Sequence, residues 1–181
     1  LACHTTLHYY MALAYLMLSR YNDAISIIVD GVVFINRNKH VPFPVSHQAE
    51  LINKKTDRML HLLAICLAVN PQNIDDGVSS LMKETVAESE MSHMQSGDIN
   101  AFEQTFEHAC PKFINPAMPT FESYVDDETR SIQVQTFLNE IKECMGPQEL
   151  TSILQLCKTV GLEKLAGLAR KSETETLTEE L

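Results

Sequence analysis

No stretch of this chain is apolar for long enough to cross a membrane, and none is basic enough to track a phosphate backbone. The 14 lysines and arginines are scattered, never in more than an adjacent pair, and 24 acidic residues bring the net charge to −10. Nucleic-acid surfaces cluster their cations on one face, so this balance predicts weak or no direct RNA binding. A Cys-x-x-Cys spacing is missing as well. The five cysteines at 3, 66, 110, 144 and 157 are odd in number and far apart, which fits neither a disulfide framework nor a zinc module. Free thiols among apolar residues fit a reducing compartment, so a cytoplasmic location is expected. The phosphate-binding G-x-x-x-x-G-K, the dinucleotide G-x-G-x-x-G and the nucleophile G-x-S-x-G do not occur. The opening LACHTT is neither an initiator methionine nor a signal peptide, and the reading is of a piece of a longer protein.

What the sequence does contain is helical periodicity. Residues 24–36, AISIIVDGVVFIN, carry Asp30-Gly31 between β-branched runs, a common β-hairpin signal. Yet Ala24, Ile27, Ile28, Gly31, Val32 and Ile35 fall on one continuous helix face, whereas the two apolar runs alternate poorly as strands. Leu7, Tyr10, Met11, Ala14, Tyr15 and Leu18 repeat the same spacing upstream, with SRYND as a polar turn and Asn22 as an N-cap. The pair predicts an αα-hairpin in which Gly31 is a close-packing site. Ala12, Tyr15 and Ala24 also match the small–aromatic–small spacing of a tetratricopeptide repeat.

Further along, a Pro42/Pro44 loop precedes a helix over 50–69 that Pro71 closes. Residues 74–95 predict one or two helices, Asp98 an N-cap, and 110–121 an irregular proline-rich stretch. Helices are then expected at 131–145, 148–159 (with Pro147 at its start) and 162–170, with a frayed acidic tail over 171–181. The fold class is therefore all-α: stacked antiparallel helix pairs.

Candidate chemistry is thin. His4 and His8 stand i, i+4 beside Cys3, but no carboxylate lies near them in sequence. His108 with Cys110 does not share a helix face. The IDDG and VDDETR acidic pairs lack the alternating oxygens and central glycine of a calcium loop and read as caps or solvated residues. Met91 and Met94 read mainly as helix core, and of Tyr9 and Tyr10 one should be exposed. No catalytic, cofactor-binding or metal residue is expected, binding residues stay unassigned, and stacked helix pairs point to protein binding.

CHTTLHYYMALAYLMLSRYNDAI, ELINKKTDRMLHLLAI, MQSGD, CPKFINP and LQLCKTVGLEKLAGL, in that order, carry a resemblance. Together they resemble the family of subunit L of the eukaryotic translation initiation factor three complex. That resemblance implies a tetratricopeptide-like, right-handed helical repeat over 1–170. Its hairpin would span 1–45 and the helical part of a PCI module 46–170, with the winged helix beyond Leu181. It implies a non-enzymatic scaffold that binds other subunits and, indirectly, the small ribosomal subunit, without cofactor or membrane. Scaffolds of the proteasome lid or the COP9 signalosome share that architecture and form the alternative. The loops KHVPFPVSHQA and YVDDETRSIQ depart from the family pattern.

Overall fold

The computed structural model describes residues 1–38, 46–111 and 127–156 together with 159, 161 and 164. Side chains are described for 1–38, 48–111 and 131–145 within those stretches and for 159, 161 and 164. The proline-rich stretch over 110–121 beyond Pro111, the helix expected over 162–170 apart from Lys164, and the tail 171–181 lie outside the described residues. All regular structure among the described residues is helical: α1 Ala2–Met17, α2 Tyr21–Arg37, α3 Ser46–Val69, α4 Asp76–Thr85, α5 Glu88–Gln95, α6 Ile99–Ala109 and α7 Asp127–Leu156. The chain falls into two compact units, Leu1–Leu138 and Asn139–Leu181, with α7 running from the first into the second.

Asp30-Gly31 makes no turn, and α2 runs straight through it. A Cβ built on Gly31 would sit 3.1 Å from the Cβ of His8 on α1, so glycine here permits the close approach of two helices. Ala24, Ile28, Val32 and Ile35 on the same row are buried, as the spacing predicts. Ala24→Leu should overpack that row and cost about 1–3 kcal/mol. Denaturant unfolding checks this, and an unchanged midpoint would show slack in the packing.

The turn between α1 and α2 is shorter than expected. Asn22 lies inside α2 and is not its cap, because the turn is complete by Arg20. Ser19 N–H donates to Leu16 O at 3.0 Å and Arg20 N–H to Tyr15 O at 2.9 Å, with Ser19 at φ 56°. This is a Schellman closure, which uses up the last carbonyls of α1 within two residues of its end. Asn22 instead accepts from Asn70 Nδ2 at 2.7 Å, tying the start of α2 to the residue that follows α3. Gly97, at φ 87°, closes α5 in the same way, and Asp98 then caps α6 by accepting from Asn100 N–H at 3.0 Å. Asp75 caps α4 through Gly77 and Val78 N–H, which gives the IDDG pair its structural role.

α3 is the central element. It packs against α1, α2, α4, α5 and α6. From Met59 to Val69 every residue but His61 is buried, as a helix surrounded on all sides requires.

α1 turns the other way from its expected orientation. The structure buries Thr5, Tyr9, Ala12, Leu13 and Leu16, and leaves Leu7 57%, Tyr10 47% and Leu18 66% exposed. Both rows have helical spacing because α1 is apolar on nearly every side. The choice between them is made by α2 and α3, which pack on α1, and not by periodicity.

α7 also differs from expectation. It starts at Asp127 rather than 131 and passes through Gly146-Pro147 as one helix. Proline's fixed φ is itself helical, so the helix gives up one N–H···O bond and continues.

Candidate functional site

Two features stand out on the first unit. One is the outward row of α1. Leu7, Tyr10, Ala14 and Leu18 are exposed along its length, with Met11 and Tyr15 half-buried beside them. Tyr9 and Tyr10 divide as expected. Tyr9 is fully buried and donates its hydroxyl to Ala109 O at 2.6 Å, while Tyr10 is open. Lys55 Nζ lies 4.0 Å from the Tyr9 ring centroid and 4.6 Å from that of Tyr10, bridging the inward and outward rows. Apolar rows left open on a helical repeat are what such folds use to meet other proteins.

The other feature is polar. Asp57 and His61 stand i, i+4 on α3, and α6 brings His108 against them. His108 Nε2 lies 2.9 Å from Asp57 Oδ2, and His61 Nδ1 lies 3.9 Å from the same oxygen. The two imidazoles are tilted against each other with centroids 4.3 Å apart. The Asp57 carbonyl anchors the His61 ring through Nδ1 at 2.9 Å. The His61 side chain is 12% exposed, against 56% for His108 and 42% for Asp57, so the group opens to solvent on one side.

The sequence reading set His108 beside Cys110, and the fold gives the two different partners. Cys110 Sγ donates to Pro111 O at 3.4 Å and Gln133 Oε1 at 3.3 Å, whereas His108 faces Asp57. The sequence alone does not single out Asp57 and His61, because an i, i+4 Asp/His pair on an ordinary helix is common. Only the approach of α6 makes a group of three.

His4 and His8 do meet, with stacked rings 4.0 Å apart, but His4 lies against Phe34 at 4.1 Å, and among the described residues no carboxylate joins them in a metal-sized group. Burial, with help from His8, holds the His4 pKa below its ordinary value. Burial likewise pushes the Cys66 thiol up to about 12, so it is an inert core residue. Met94 is buried and Met91 half-buried, which places that pair mainly in the core.

Comparison with known proteins finds matches along nearly the whole chain. The family described as RNA polymerase I-associated factor PAF67 matches residues 1–181. Among curated relatives, eukaryotic translation initiation factor 3 subunit L of Aedes aegypti is 38% identical over 169 residues, covering 92% of this chain and 32% of the relative. The subunit of the same name is 35% identical over 177 residues in Drosophila melanogaster and 37% over 175 in Nematostella vectensis. These cover 96% and 95% of this chain, and 33% of each relative. The chain thus spans about a third of the length of the curated relatives it matches.

Proposed function

Because the chain belongs to the family described as RNA polymerase I-associated factor PAF67, we propose that it is a helical scaffold segment of a subunit of the eukaryotic translation initiation factor three complex. The observation that carries this reading is the shared name of relatives aligned over 92–96% of the chain. Those relatives are named as initiation-factor subunits and not as enzymes. The structure supports a binding role through the open apolar row on α1 and a helix array around a buried α3.

In this reading α1 and α2 are the tetratricopeptide-like hairpin, and α3 onward belongs to the helical part of a PCI module. The segment joins other subunits, meets the small ribosomal subunit only through them, and works in the cytoplasm. Among the described residues no helix is long and apolar enough to cross a membrane. With a net charge of −10, direct RNA binding should be weak.

The family description points to RNA polymerase I, while the relatives' names point to translation. Affinity purification of the tagged gene product from eukaryotic cells, followed by mass spectrometry, separates the two. Recovery of initiation factor three subunits is expected, and it should fall when Leu7 and Leu18 are both changed to aspartate. Recovery of polymerase subunits instead, or of proteasome-lid or COP9 signalosome subunits, would overturn the assignment. Undiminished recovery by the double variant would move the contact off α1.

A further inference from the structure

We propose that Asp57, His61 and His108 bind a divalent first-row transition-metal ion, with zinc as the probe, and that the ion clamps α3 to α6. The inference rests on the geometry of the group and is independent of the scaffold reading. One ligand atom from each residue lies within 4.8 Å of the others. Zinc bonds of about 2.0–2.1 Å in a tetrahedral site set neighbouring ligand atoms roughly 3.3 Å apart. His108 Nε2 and Asp57 Oδ2 stand 2.9 Å apart, near that value, so modest side-chain rotation closes the site.

Chemistry supports the same class of ion. Two imidazoles and one carboxylate form a mixed nitrogen–oxygen set suited to borderline metals, whereas calcium and magnesium take oxygen ligands. The His61 Nδ1–H is held by a main-chain carbonyl at 2.9 Å, which leaves Nε2 as its ligand atom and is the kind of outer support that orients ligating histidines. His61 is largely buried while His108 and Asp57 reach solvent, which gives an entry path and leaves a coordination position for water. Asp57 and His61 come from one helix and His108 from another, with a sequence separation of 51 between Asp57 and His108. Binding therefore requires the folded chain and should stabilise it. The acidic chain also lacks a surplus of cations to repel the ion.

The test uses the 181-residue chain with its affinity tag removed and metal stripped by chelator. Titration calorimetry with zinc should give one ion per chain with a dissociation constant in the micromolar range or tighter. Cobalt at the same site should show the intense visible absorption of a low-symmetry, four- or five-coordinate complex. His108→Ala removes an exposed ligand and is expected to leave the circular dichroism spectrum unchanged. It should weaken zinc binding by at least about tenfold, the lower end of what even an outer-shell partner contributes. Asp57→Asn should weaken it similarly. His4→Ala, in the other histidine pair, should leave binding and the cobalt spectrum intact. Binding that His108→Ala does not weaken, binding that His4→Ala abolishes, or no binding at micromolar zinc would each overturn the assignment.

Discussion

Phe106→Ala is expected to lower the stability of the fold by about 3–5 kcal/mol, the usual cost of emptying a buried aromatic site. The ring is fully buried on the inward face of α6 and stacks on Phe137 of α7, with centroids 4.0 Å apart and planes 7° from parallel. Domains of this kind have roughly 5–15 kcal/mol in total, so the change should lower the melting temperature on the order of 10 °C. Phe137→Ala should cost a similar amount. The double variant should cost less than the sum by about 0.5–1.5 kcal/mol, because the ring–ring contact can be lost only once. Strict additivity in chemical unfolding would show that the stack contributes nothing beyond burial.

Tyr9→Ala should be as damaging, about 3–5 kcal/mol, and for more than one reason. The side chain is fully buried, and its hydroxyl donates to Ala109 O across 100 residues of sequence. It therefore joins the middle of α1 to the end of α6. Tyr9→Phe keeps the ring and leaves the buried carbonyl without this donor, at about 1–3 kcal/mol. The two variants separate packing from hydrogen bonding. Burial raises the phenol from 10.0 to about 12, in spite of the nearby Arg58. The folded state thus holds this proton more tightly than the unfolded chain. Its contribution is complete below pH 10 and is lost as pH rises towards 12. The gap between the native chain and Tyr9→Phe should narrow over that window. A gap that stays constant to pH 12 would mean that the hydroxyl is not shielded from water.

The helix termini show how much local chemistry was readable. Asp98 was legible as a cap because a short carboxylate before an amphipathic run has one favourable use, accepting the first free N–H groups. Asn22 fitted the same rule and failed it. A Schellman closure at Ser19 finished the turn first, in a left-handed conformation for which glycine would have been the visible signal. Pro147 likewise looked like a helix start and stands inside α7.

The sequence by itself determined the helical class, the passage of α2 through Asp30-Gly31, the helix that ends before Pro71 and the family. Each of these is carried by spacing within one segment or by ordered strings of residues. Tertiary structure decided which side of α1 faces inward, because a helix apolar on nearly all sides offers several equivalent rows. Only the packing of α2 and α3 against α1 distinguishes them. It also decided that Asp57, His61 and His108 form one group. Helical periodicity relates residues three or four apart, whereas the distance between α3 and α6 depends on how their buried faces pack.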